Sequence, residues 1–155
     1  MGDSIGTEIV QDIDFLHKPC NSVAEGQNIS EIVAALLSRL KKAGRGLAAN
    51  QLGVCLRICV IGMPNSAPIC LVNPVLVKQK KSVKAEEGCL SLPGVTRVMV
   101  RPQEIVVKGL NQYLKPVRYR LGGMMARAAC HEIDHLNGKL IIDYKGGNDV
   151  GTEEG

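Results

Sequence analysis

In the stretch ARAACHEIDHLNGK, residues 126–139, two histidines stand four residues apart and an acid directly follows the first. On a helix this spacing stacks His131 and His135 one turn apart on one face, so two imidazole nitrogens can reach the same metal ion. Glu132 is turned about 100° away from His131, close enough to touch a water on such an ion without being a ligand. This is the arrangement of a metal hydrolase. The plain alternative is a solvated helix end carrying a few polar residues. The chain has only three histidines, and two of them fall in this pentad, which favours the metal. His17, the third, reads as a surface or internally satisfied residue.

A catalytic ion takes three protein ligands and keeps an open position for water. Downstream of His135 the chain offers no histidine and a few acids, Asp143, Glu153 and Glu154 among them. The better candidate lies upstream in EEGCLSLPG. There Cys89, flanked by Gly88 and Leu90, sits in a segment that reads as turn-like. A cysteine is ordinarily a small core hydrophobe, but two histidines lacking a third ligand shift that balance.

Such residues need a frame to hold them. At 155 residues the chain fits one compact domain with a real core. Its 45% hydrophobic and 22% charged residues place it among ordinary soluble globular proteins. With no Trp and one Phe, the core must come from Val, Ile, Leu, Met and Ala. The net charge of +4 is spread along the sequence without basic blocks interleaved with aromatics, so nucleic acid is not expected as a substrate. No run of about 18 apolar residues is present, so no membrane span is expected. MGDSIGTEIVQDIDF is acidic and lacks an apolar leader region. Gly2 matches a myristoylation pattern only superficially. The six cysteines are therefore expected to be reduced thiols in a cytosol-like compartment. Cys20, Cys55, Cys59 and Cys70 are assigned to packing; Cys130, next to His131, is either a second metal contact or core filler, and adjacent residues pointing apart on a helix favour the core.

The element pattern predicts an α+β fold: a first helix, several mostly antiparallel strands, and a second helix that carries the histidines. NISEIVAALLSRLKKAG reads as a helix with a capping box from Asn28 to Glu31, an apolar face of Ile32, Leu36 and Leu40, and Gly44 as its stop. GRGLAANQLGV is a glycine-punctuated turn leading into the strand CLRICVIG. ICLVNPVLVK is a strand interrupted at Asn73-Pro74, as at a bulge or an edge. GVTRVMV, EIVVKG and PVRYRL complete the strands. Gly122 and Gly123 break the pattern before the histidine helix, and Gly138 is its expected stop. One catalytic domain is expected over residues 1–145, followed by a short acidic, flexible tail over 146–155.

Three segments, taken in order, resemble the peptide deformylases. They are Gly44-Arg45-Gly46-Leu47-Ala48-Ala49-Asn50-Gln51, Glu87-Gly88-Cys89-Leu90-Ser91 and His131-Glu132-Ile133-Asp134-His135. They match the family's G-x-G-h-A-A-x-Q, E-G-C-h-S and H-E-x-D-H, where h is apolar. The resemblance runs well from Gly44 to Tyr144. It implies a fold whose metal-binding helix packs among antiparallel sheets. It also implies an enzyme that removes the N-formyl group from the initiator methionine of new polypeptides.

By the same resemblance, Cys89, His131 and His135 bind one divalent ion, ferrous iron in the cell, with zinc, nickel or cobalt able to substitute. Glu132 is the general base and then acid. The Gln51 amide and the Leu90 N–H stabilise the oxyanion. Arg101 pairs with Glu87 and braces the cysteine segment. A peptide is expected to lie as an added strand along the backbones around Gly44, Gly46 and Gly88, with Met124 and Ala128 lining a pocket for its methionine. Asp134 either orients a ligand or caps the helix. Arg45 and Arg127 are expected to face solvent. The acidic tail lacks the basic C-terminal helix by which some relatives dock on the ribosome, which leaves docking open. A monomer is expected. The rivals are a metallopeptidase or amidase using the same pentad, a structural zinc site, and an inactive relative. The complete motif set argues against each.

Overall fold

The computed structural model describes residues 5–6 and 8–144; the expected tail over 146–155 and Gly2 lie outside them. The elements in chain order are α1 (Ile13–Leu16), α2 (Ser30–Ala43), β1 (Gly46–Ala48), a 3-10 turn (Ala49–Leu52), β2 (Ile58–Ile61), β3 (Ile69–Cys89), β4 (Leu92–Leu110), β5 (Pro116–Gly122), α3 (Gly123–Leu136) and a second 3-10 turn (Ile141–Asp143). The strands hydrogen-bond as a five-stranded sheet in the order β1-β2-β3-β4-β5, and every neighbour is antiparallel. The architecture is the expected α+β. Among the described residues no helix is long and apolar enough to cross a membrane.

The two long helices sandwich the short strands. Because side chains alternate along a strand, Cys59 and Ile61 of β2 face one side, where α3 packs through Ala126, Ala129, Ile133 and Leu136. Ile58 and Val60 face the other side, where α2 packs through Ile32, Leu36 and Leu40. All four β2 residues are accordingly buried. The α2 helix opens at Ser30, with Ile29 and not Asn28 in the cap position. Asn28 instead forms a local turn, its Oδ1 accepting from the Ser30 N–H at 3.1 Å. At the other end Gly44 stops the helix as expected, at φ +104°, its N–H donating to the Leu40 carbonyl.

β3 and β4 form a hairpin far longer than the apolar runs suggest, continuing through the charged QKKSVKAEEGC. In β4, Ile105 and Val107 turn into the core while Lys108 faces solvent, so a one-sided sheet carries charge on its outer face. The pairing register slips between Val72 and Val75, between Leu76 and Lys78, and at Gly88 to Cys89. The first slip is the expected interruption at Asn73-Pro74. Asn73 adopts φ +51° there, and its side chain bonds both the N–H and the carbonyl of Val23.

The C-terminal end of α3 is tied down on several sides. Its terminal carbonyls need partners: Leu136 O accepts from the Cys20 N–H at 2.9 Å and from Arg57 at 3.1 Å, and His135 O accepts from Asn50 at 2.9 Å. Gly138 ends the helix at φ +76° with the His17 carbonyl pressed against it. Gly26 has the same φ of +76° but open space around it. Replacing either by Ala strains the backbone, by more than about 1 kcal/mol. Only Gly138→Ala adds a collision with backbone. Urea unfolding should show Gly138→Ala clearly less stable than Gly26→Ala; equal stabilities would mean this close approach does not set the end of α3.

Candidate active site

The end of β3, the middle of α3 and the 3-10 turn after β1 meet at one point. Cys89 is the last residue of β3, paired with Leu92; the turn itself consists of Leu90 and Ser91. The turn-like setting expected for Cys89 is thus corrected: a strand end, more rigid than a loop, presents the thiol. The ligand atoms of Cys89, His131 and His135 lie within 4.8 Å of one another. Cys89 Sγ is 3.3 Å from His135 Nε2, and the two imidazole centroids are 5.0 Å apart. Sulfur and two imidazoles at these separations form a donor set for a divalent transition metal. Among the described residues no fourth such side chain joins them. Cys130 and Cys70 pack in the two separate core clusters, and all six cysteines are free thiols. An ion held here keeps a position open, as a catalytic site does and a structural zinc site does not.

Glu87 supports the set from behind. Its Oε1 meets His131 Nδ1 at 2.9 Å and Arg101 at 2.9 Å; its Oε2 meets Arg101 at 3.0 Å and Arg127 at 2.6 Å. Burial opposes the charge on Glu87, but the hydrogen bonds from His131 and Arg101 outweigh it and lower its pKa to about 2. An ionised carboxylate only accepts, so His131 must carry its proton on Nδ1. That leaves Nε2 for the ion. Burial together with the His131 and Arg101 charges holds His135 down at about 3, neutral as a ligand must be.

Arg127 does not face solvent. It is 8% exposed and donates to Glu87, to the Met99 carbonyl at 3.3 Å and to the Val83 carbonyl at 2.7 Å. Its place was available in the spacing: Arg127 precedes His131 by four residues and so shares its helix face. Arg45 is exposed as expected. Asp134 neither caps the helix nor touches a histidine. It accepts from Arg101 at 2.7 Å and from the Tyr144 hydroxyl at 2.5 Å.

On the open side, burial raises the Glu132 pKa to about 7 against the opposing His131 charge. Its Oε1 has no hydrogen-bond partner among the described residues. Gly46 makes room for this carboxylate, since a Cβ there would stand 2.7 Å from Glu132 Oε2. The Gln51 amide is oriented by its oxygen, which accepts from the Ala48 N–H at 3.0 Å; its Nε2 therefore points toward Ser91 Oγ at 3.3 Å and Cys89. Ser91, like Tyr144, had no assigned role in the sequence reading. Glu132, Gln51 and His131 border a cleft of about 650 Å³. Gly44, Gly46, Gly88, Leu90, Met124 and Ala128 line it too, so the structure brings every expected substrate-side residue to one cavity. Arg101 is not among its lining residues.

Two expectations follow. Removing one partner of a buried ion pair costs about 3 kcal/mol or more, whereas an exposed change away from such features stays within about 0.5 kcal/mol. Arg127→Met should therefore destabilise strongly in urea unfolding and Arg45→Met hardly at all; equal effects would contradict the burial of Arg127. The second concerns protons. Burial pulls the His131 pKa down, but hydrogen bonds with Cys89 and Glu87 outweigh it and raise the ring to about 10. Below that pH an incoming ion must displace a proton from the ring, so metal uptake releases acid and tightens as pH rises. Calorimetry in buffers of different ionisation enthalpy at pH 7.5 should detect that proton; a pH-independent affinity would contradict it.

Comparison with known proteins agrees with this geometry. The family model "Polypeptide deformylase" matches residues 7–149. A peptide deformylase of Chlorobium phaeobacteroides is 41% identical over 124 residues, 76% of this chain and 66% of that one. One from Lachnoclostridium phytofermentans is 36% identical over 95% of this chain and 86% of its own. The crystal structure of the enzyme from the Vibrio parahaemolyticus bacteriophage VP16T, in complex with actinonin, superposes with a TM-score of 0.80 at 34% identity, covering 86% of this chain and 99% of that one. With the family's motifs meeting in one cleft and a family model spanning nearly the whole sequence, this chain belongs to the polypeptide deformylase family.

Proposed function

We propose that this chain is a metal-dependent amide hydrolase that removes the N-formyl group from the initiator methionine of newly made polypeptides. The observation that carries the reading is the meeting of Cys89, His131, Glu132 and the oriented Gln51 amide along one cleft, with the third donor, the buried His135, within 4.8 Å of the Cys89 and His131 ligand atoms. A sulfur and two nitrogens suit iron, zinc, nickel or cobalt, and ferrous iron is the proposed ion in the cell. When bound, the ion supplies a Lewis acid for the formyl oxygen and makes its water acidic enough to be a nucleophile near neutral pH.

The residues of the chain do the rest. Glu132, whose Oε1 has no hydrogen-bond partner among the described residues and whose pKa burial raises to about 7, takes the proton of the attacking water and delivers it to the departing amine. Negative charge gathers on the former carbonyl oxygen, and donors already in place favour it over the ground state. The Gln51 amide N–H and the Leu90 backbone N–H fill that role. Gln51 needs no rearrangement, because the Ala48 N–H already holds its oxygen. The peptide backbone lies along Gly44–Gly46 and Gly88, where missing side chains admit it, and the methionine side chain enters beside Met124 and Ala128. The setting proposed is a cytoplasmic monomer acting on formylated nascent chains, with ribosome docking left open. Actinonin, bound by the phage relative, is expected to compete for the same cleft.

The test is formate release from formyl-Met-Ala-Ser by the iron- or nickel-loaded protein under anaerobic conditions. Glu132→Ala should lower kcat by about 100- to 10,000-fold, and Gln51→Ala by about 100- to 1,000-fold. The unformylated peptide should remain intact, which separates this activity from that of a metallopeptidase. Formate release undiminished in Glu132→Ala, or none from a wild type holding one ion per chain, would overturn the reading.

A further inference from the structure

We propose that Tyr144 and Asp134 are positioning residues for the metal centre, acting on His131 through Arg101 and Glu87. The inference rests on the metal-hydrolase reading above and extends it to residues outside the cleft. The contacts form a closed circuit. His131 of α3 bonds Glu87 of β3, Glu87 bonds Arg101 of β4 through both oxygens, and Arg101 returns to α3 at Asp134, at 2.9, 2.9, 3.0 and 2.7 Å. Each edge of the Arg101 guanidinium is thereby committed, Nε and one terminal nitrogen to Glu87 and the other terminal nitrogen to Asp134. A planar fork held at two points cannot rotate. If Asp134 releases it, Glu87 keeps its arginine but loses the geometry that aims His131 at the ion.

Asp134 is the exposed corner of the circuit, with 17% of its side chain accessible against 5–6% for Arg101 and Glu87. Water competes at that corner, and Tyr144 covers it. The Tyr144 hydroxyl donates to the same Asp134 oxygen that holds Arg101. Its ring lies 5.5 Å from the Arg101 guanidinium carbon, and Lys139 Nζ sits 4.6 Å from the ring centre. Groups that orient a metal-bound histidine from outside change metal affinity by about 10- to 100-fold when lost. Tyr144 is the outermost such group here.

The experiment uses the full chain loaded with Co2+, whose thiolate charge-transfer and ligand-field bands report the donor geometry directly. Tyr144→Phe keeps the ring against both cations and removes the hydroxyl with its bonds to Asp134 and Arg101; Asp134→Asn keeps an acceptor and removes the charge. Chelator competition should show Co2+ affinity reduced by about 10-fold in Tyr144→Phe and further in Asp134→Asn. The ligand-field bands should shift, and kcat on the formylated peptide should fall while KM stays constant. A merely structural role would lower the melting temperature and leave affinity and bands at wild-type values, and that result overturns the proposal even where Asp134→Asn folds poorly. A wild type that takes up no Co2+ with a thiolate band would instead overturn the metal reading itself, and this inference with it.

Discussion

The carboxylate of Glu87 is the point on which the site turns. It is buried, and a buried charge is tolerated only when paired and fully hydrogen-bonded. Arg101 and Arg127 supply two cations, and with His131 they occupy both oxygens with four bonds. Asp134 pairs with Arg101 from the other side, leaving two acids and two guanidiniums in balance. Such a cluster adds little stability over a hydrophobic packing of the same volume. What it adds is direction: an ionised, acceptor-only partner fixes the His131 tautomer and leaves Nε2 for the ion.

The frame exists to hold that carboxylate and the histidines on different elements at fixed separation. Glu87 and Cys89 ride on β3, Arg101 on β4, and the histidines with Arg127 on α3. Alanines at 126, 128 and 129 let α3 lie close to the sheet, where larger residues would push the histidines away from Cys89. The helix end is held by bonds from Cys20, Asn50 and Arg57. Gly46 serves the same closeness on the other side, because a Cβ there would displace the Glu132 carboxylate. Function and packing therefore constrain the same positions, and polar residues are buried where the chemistry needs a dry environment.

Much of this was legible in the chain. His131 and His135 share a face by spacing alone, and the α2 face and the stop at Gly44 follow from periodicity and glycine. The interruption at Asn73-Pro74 also reads correctly, since a proline cannot donate to a sheet ladder. The misses share a physical cause. The hairpin through QKKSVKAEEGC carries charge because its outer face meets water and its pairing partner lies in β4, so no local apolar pattern announces it. Arg127 looked like a surface charge because its partner, Glu87, is forty residues away in sequence. For Asp134 a helix cap and the orienting of a ligand looked equally good, because the partners that decide between them, Arg101 of β4 and Tyr144 beyond the helix, are not its sequence neighbours. Charge pairing across elements depends on the tertiary contact and leaves little mark on local sequence.

The central claim is that Cys89, His131 and His135, and no other side chain, hold a catalytic ion with one position left open. A crystal structure of the iron- or nickel-loaded protein, with anomalous data collected at the metal edge, tests it most directly. The account predicts one strong peak per chain, bonded by Cys89 Sγ and the Nε2 atoms of both histidines, with a non-protein ligand completing the coordination beside Glu132. A peak elsewhere, or a fourth protein ligand closing the site, would contradict it.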